Sequence, residues 1–451
     1  MNGMGWLSDR DPKLYVSTLV ALEDLRSSIF AAATDGPLLS RVRRTLARSR
    51  PGKREFPSFT VSNLAAIVIA LALPAVMVEG EQVANQTAVK EARQDNQLDA
   101  AAEETNRVLD VMPTRNYSTI VGALHTLART VGGSEWSEAR LQGVLGHAFS
   151  FEMKEGAGDV WQEASLDYHG LFFEMLPRRG YRFQRFEAKQ KNAEGDFSKL
   201  KADAWNAVRA SIDRGMPAIA WQPMSREQKA AGLRAGAWGL LVGYDKTDET
   251  FTVRHQYHKK GRESYTVRYD AIGHSDPSEW FCVLVYDGTD TVDATDTHVT
   301  ALRNAVAFAN GTRFGAGDSQ HRADARGFAA YELWRVAIES GEADPKHSLN
   351  HARELVNWRG HAAAYLRELA EILPDARSRL EQGAAHYDRL IETAAKLQAY
   401  CKPLEKAGAF PKDSGTEAGN LVTSLLRSER EAIAHIKGAL EILGVSTGAG
   451  G

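Results

Sequence analysis

Two hydrophobic rhythms divide this chain, and they limit what it can fold into. From about residue 294 to 443 apolar residues recur with a period near 3.6, the signature of amphipathic helices. Helices are expected over 296–310, 323–340, 348–401 (broken at Pro374) and 416–443. Ala363, Leu366, Leu369, Ile372 and then Leu380, Ala384, Tyr387, Leu390, Ile391, Ala394 form stripes suited to helix-on-helix packing. Upstream the pattern changes to short runs rich in Val, Tyr, Phe and Trp, bounded by Asp, Gly, Lys and Thr. These predict strands over 218–221, 238–244, 250–256, 263–269 and 280–286. Helices over 118–131 and 202–212 precede them, the second stopped by Arg214-Gly215 with Pro217 just beyond. The expectation is an α+β domain with a mostly antiparallel sheet over 113–290, an all-α helical domain over 294–443, and a disordered tail over 444–451.

The chain ahead of residue 113 reads differently. Segments 12–33 and 37–48 carry short helical patterns, separated by Thr34-Asp35-Gly36. Positions 61–78 (VSNLAAIVIALALPAVMV) hold eighteen residues without a charge. That is near the minimum for a hydrocarbon core of about 30 Å at about 1.5 Å per residue. Arg41, Arg43, Arg44, Arg48, Arg50, Lys53 and Arg54 precede it, and Glu79 and Glu81 follow. This asymmetry predicts a membrane-spanning helix or signal anchor over 58–80, in contact with lipid through 58–78. Residues 1–57 would then be a cytoplasmic N-terminal helical segment, with the later domains outside a bacterial-type inner or cytoplasmic membrane. A cleaved signal peptide, which makes the protein secreted, and a buried core helix are the alternatives. Residues 81–112 read as a polar helical stalk.

Composition excludes several function classes. With a net charge of −3 the chain has no global basic footprint, so nucleic acid is not an expected partner; the basic run over 41–54 fits anionic lipid beside the span. Cys282 and Cys401 can make one disulfide or remain buried thiols, but not a cysteine framework or thiolate zinc site. No H-x-H or H-E-x-x-H spacing occurs, so no metal and no cofactor are expected. The glycine-rich run from Gly311 to Asp318 lacks the Lys-Ser/Thr of a phosphate loop and reads as an interhelical connection.

Four landmarks within 113–288 carry a resemblance. Thr119-Ile120-Val121-Gly122-Ala123-Leu124-His125-Thr126-Leu127 is the first. Ser137-Glu138, followed by Gly143-Val144-Leu145-Gly146-His147-Ala148-Phe149, is the second. Arg214-Gly215-Met216-Pro217-Ala218-Ile219-Ala220 is the third, and Gly236-Ala237-Trp238-Gly239-Leu240-Leu241-Val242-Gly243-Tyr244-Asp245 the fourth. In order and spacing they resemble papain-like C39-type cysteine peptidases and the butirosin-biosynthesis H-type N-terminal domain. The resemblance implies a papain-like fold, with a cysteine at a helix N-terminus activated by that helix end and a neighbouring histidine. Here the cysteine slot falls on Thr119, or on Ser118 if the register slips by one. The histidine slot is Ala237, and the third, orienting slot is His255 where Asp or Asn is expected. A hydroxyl without a base is a poor nucleophile near pH 7.

No other histidine is an evident replacement. His125 lies six residues after Thr119, on a different helix face; His147, His169, His255 and His258 read as structural or surface residues. Strand alternation puts His255 and His258 on opposite faces. Trp161, Trp221 and Trp238 are candidate apolar walls for a ligand, with a core role as the alternative. The reading is a membrane-tethered, non-catalytic pseudo-peptidase that binds a small ligand, peptide or protein partner, with a sensor role in view. The alternative is an acyltransferase or amidohydrolase using Ser118 or Thr119.

Overall fold

The computed structural model describes residues 105–133, 136–158, 166, 170–189, 197–258, 264–275, 279–314, 323–406 and 408–445. In chain order they form β1 (Asn106–Val108), α1 (Thr119–Thr130), α2 (Glu138–Val144), β2 (Glu152–Met153), α3 (Leu171–Met175) and β3 (Tyr181–Lys189). Next come α4 (Phe197–Asp213), β4 (Ala218–Trp221), α5 (Arg226–Ala230), β5 (Trp238–Asp245), β6 (Thr250–Arg254), β7 (Tyr265–Arg268) and β8 (Trp280–Thr289). The remainder is helical but for one bridge: α6 (Ala294–Ala309), β9 (Ala325–Arg326), α7 (Phe328–Ser340), α8 (Pro345–Ile372), α9 (Arg377–Cys401) and α10 (Lys412–Ile442).

The main sheet is antiparallel and runs β3-β8-β4-β5-β6-β7, with β1 also paired to β5. Alternating side chains feed two cores. Trp238, Leu240 and Val242 face one, and Leu241 and Tyr244 the other. Strict alternation would return Tyr244 to the first face. A register shift between Leu241 and Gly243 against β6 turns it over. Trp205, Val208 and Ile212 of α4 cover the Leu241 face. Ile120, Val121 and Leu124 of α1 belong to the Trp238 face, and that core continues without a break into α7 to α10. The expected α+β and all-α domains thus share one apolar interior and lie in one compact unit, Glu103–Gly451.

Glycines of the second landmark seat the helical region on the sheet region. The Gly143 Cα lies against the Tyr365 ring of α8, where any Cβ would overlap the ring carbons. Gly146, at φ +85°, leaves room for Phe308 of α6. Deeper, the 1% exposed Arg359 donates from Nε to Glu429 (2.8 Å) and from Nη1 to the carbonyl oxygens of Ala148 (2.7 Å) and Ser150 (3.2 Å). Glu429 also accepts from the Tyr331 hydroxyl at 2.9 Å and the Tyr387 hydroxyl at 3.4 Å. One buried ion pair therefore joins α7, α8, α9 and α10 to the 148–150 turn. Helix α8 stops before Pro374, whose ring cannot continue a helix, and the chain turns through Pro374–Ala376 into α9.

Two expectations are corrected here. Among the described residues no helix is long and apolar enough to cross a membrane. The span placed at 58–80, with the segments flanking it, lies outside the described residues. The described fold is α+β with a mostly antiparallel sheet and helices, none of its described helices crosses a membrane, and the membrane location that rested on such a helix is withdrawn. The polar stalk is corrected where it is described: Asn106–Val108 is a strand, with Arg107 opposite Tyr244 of β5. A three-residue strand at the margin of a sheet needs little apolar sequence, so its composition resembled a solvated helix. The tail over 446–451 and the basic run also fall outside the described residues.

Candidate functional site

The N-terminus of α1 meets the start of β5 at a polar junction built around Asn116. The Oδ1 of Asn116 accepts from the Ser118 N–H (2.9 Å) and from Gln142 Nε2 (2.7 Å), and its Nδ2 donates to Glu138 Oε2 at 2.5 Å. The first bond is an Asx turn that replaces capping of α1 by the Ser118 side chain. Gln256 completes the junction by accepting from the Asn116 N–H (2.9 Å) and donating to its carbonyl (2.6 Å). That two-bond clamp ties the end of β6 to the strand-like approach to α1. Gly122 allows the crossing, since a Cβ there would run into the Thr114 carbonyl oxygen. His125 steadies the same segment: its Nδ1 is 3.0 Å from Thr114 Oγ1 and 3.9 Å from Glu138 Oε1. Burial lowers its pKa, and the Glu138 carboxylate opposes that shift.

Ser118 and Thr119 are both buried, 2% and 8% exposed. Thr119 Oγ1 accepts the backbone N–H of Trp238 at 3.1 Å, which brings the helix start against the residue after Ala237. Ser118 Oγ has no hydrogen-bond partner among the described residues. Ala237 is half-buried, and its carbonyl accepts the Gln222 N–H at 2.9 Å. Position 237 therefore presents a methyl group, which can neither accept nor deliver a proton.

His255 is fully buried over Gly239, where a Cβ would sit 2.9 Å from its Cδ2. Burial is the main cause that pushes its pKa down to about 4, with His258 adding to the fall and the Ala237 carbonyl opposing it. The ring is neutral at pH 7. Its Nδ1 accepts the Tyr257 N–H at 3.3 Å, which assigns the proton to Nε2. A ring so committed has no free lone pair for a hydroxyl proton. Among the described residues, no imidazole or carboxylate is hydrogen-bonded to Ser118 Oγ or Thr119 Oγ1.

The placement of His255 and His258 on opposite faces is corrected. Strand β6 ends at Arg254, and residues 255–258 form a turn closed by the His258 N–H on the His255 carbonyl at 3.0 Å. The two rings come to 5.8 Å, with Tyr257 4.8 Å from His255 and Tyr265 5.0 Å from His258. Even so, no group of three or more His, Cys, Asp or Glu side chains is placed to hold a metal among the described residues.

The tryptophan wall is also redrawn. Trp238 is 2% exposed and forms core with Trp221 (5.4 Å), Trp280 (5.8 Å) and Phe172 (6.4 Å). Only Trp221 is partly exposed, and Trp161 and His169 lie outside the described residues. A hollow of about 410 Å³ lies elsewhere, lined by Asn310, Gly311, Asp324, Arg326 and Phe328 between α6 and α7. It touches none of Ser118, Thr119, Ala237 or His255. Asn116, Gln142 and Gln256 went unread in the sequence, because long-range polar clamps leave no local pattern. The thiols Cys282 and Cys401 are free and buried, with pKa values raised by burial.

No protein-family model matches the chain, and no curated protein matches it.

Proposed function

We propose that residues 113–290 are a degenerate papain-like, C39-like domain, and that the protein holds a ligand, a peptide or a protein partner without cutting it or transferring an acyl group. The observation that carries this reading is the junction itself. A hydroxyl at the first turn of α1 accepts the Trp238 N–H and, among the described residues, has no base to take its own proton, and a methyl at 237 stands where the base belongs. A helix N-terminus stabilises a nearby anion, but a serine or threonine hydroxyl stays protonated near pH 7 unless a base takes its proton.

A second reading has one observation in its favour. Ser118 Oγ is buried at the same helix start and, among the described residues, is committed to no hydrogen bond. An acyltransferase or amidohydrolase would then use Ser118, with Thr119 as the neighbouring hydroxyl. Assaying the full chain and its Ser118→Ala/Thr119→Ala variant against ester, amide and acyl-amine substrates separates the two. The binding reading expects no turnover above buffer in either protein. Turnover in the wild type that the folded double variant lacks defeats it.

A further inference from the structure

Arg179 carries a charge that no described residue balances. It ends the turn Pro177–Arg179 ahead of β3, and Gly180, at φ 79°, sends the chain back into the sheet. Its side chain is 2% exposed, and its Cζ lies 5.8 Å from the ring centroids of both Trp136 and Tyr181. Among the described residues, none of Nε, Nη1 and Nη2 has a hydrogen-bond partner. Among the described residues no carboxylate acts on it: burial pulls its pKa down to about 10, and the Tyr181 phenol opposes that. His298, whose ring is 6.4 Å from Trp136, is held neutral, with a pKa of about 4, so it adds no charge near pH 7.

The same chain shows what a satisfied buried arginine looks like. Arg359 is as deeply buried, yet it has a carboxylate at 2.8 Å and two backbone carbonyls. Two aromatic faces offset part of the cost of drying a guanidinium, but they accept none of its five N–H donors. A buried, unsatisfied charge of this kind calls for an external partner. Trp136 and Tyr181 flank the guanidinium, with their rings tilted by 55° to each other.

We propose that Arg179 is the base of an oxyanion site, taking a small carboxylate or phosphate on its guanidinium fork between Trp136 and Tyr181. The site is independent of the proposed function at the α1–β5 junction. The full chain, exchanged into low-anion buffer at fixed ionic strength, is melted against increasing inorganic phosphate and, separately, acetate. Tm should rise with one of them, by about 4 °C at a hundredfold excess over Kd. The arm that responds tells phosphate from carboxylate. Arg179→Met should remove the rise, and Arg179→Lys should weaken it. If Arg179→Met does not fold, calorimetric titration of the wild type with the same two anions decides, and absence of binding heat together with an unmoved Tm overturns the site. An equal rise in Arg179→Met also overturns it.

Discussion

Replacing Gly143 by alanine should destabilise the protein even though alanine is the better helix former. In the last turn of α2 the substitution gains at most about 1 kcal/mol of helix propensity. Against this stands the Tyr365 ring. A Cβ on Gly143 would be 2.5 Å from Tyr365 Cε1 and closer still to Cγ and Cδ1. The ring cannot step aside easily: it is fully buried, its hydroxyl is 3.0 Å from His298 Nδ1, and its edge meets Phe149 at 6.2 Å. Overpacking of this kind costs about 1–3 kcal/mol, and a methyl set against ring carbons belongs at the upper end. The net expectation is a loss of about 1–2 kcal/mol, read as a lower urea midpoint at unchanged m-value. In a Tyr365→Ala background the obstacle is gone, and Gly143→Ala should become stabilising by up to about 1 kcal/mol. The reversal of sign is the diagnostic. A neutral or favourable Gly143→Ala in the wild type, or the same loss in both backgrounds, refutes the packing of α8 onto α2.

Arg359→Met or Glu429→Gln alone should cost about 3–5 kcal/mol, because each strands a charge or its donors in the interior. Arg359→Met/Glu429→Leu should lose no more than the worse single variant; urea denaturation showing additive losses would count against the buried pair. Acid should destabilise the protein well before its carboxylates titrate, since His255 and His298 are both held at a pKa of about 4 against an ordinary value of 6.5. Their contribution is complete above about pH 6.5 and is lost as pH falls toward 4, because the unfolded chain takes up protons that the folded one refuses. The slope approaches about 2.7 kcal/mol per pH unit for the two together, and His298→Gln should roughly halve it; a midpoint that is flat between pH 7 and 5 would contradict both assignments.

Regular periodicity made the helical region legible. The spans read at 296–310, 323–340, 348–401 and 416–443 fall on α6, α7, α8 with α9, and α10, and Pro374 marks the break because its ring constrains the backbone whatever surrounds it. The strand at 218–221 was equally visible, being short, apolar and bounded by turn residues. Strand β3 was not. Arg182, Gln184, Arg185 and Glu187 give it the composition of a surface loop, and it is a strand because β8 offers it a full ladder from Tyr181–Thr289 to Lys189–Trp280. The histidines at 255 and 258 were misplaced because alternation was carried past Arg254, where pairing stops. Gly143 and Gly146 read as family landmarks, whereas here they make room for Tyr365 and Phe308 from distant helices. The Asn116–Gln142–Gln256 clamp and the unpaired Arg179 depend on partners or absences that no local window contains.

The missing imidazole at 237 is the centre of this account, and it can be put back. Thr119→Cys alone should give a thiol with an ordinary or raised pKa, alkylated slowly by iodoacetamide at pH 6. With Ala237→His added, the ring should draw the proton from the sulfur and lower that pKa by several units, as thiol–imidazole pairs do. Alkylation at pH 6 should then be faster than in the single variant by about 100-fold, with both sulfurs equally buried as the internal control. Identical pH–rate profiles for the two variants would contradict the claim that positions 119 and 237 face each other across a silenced site.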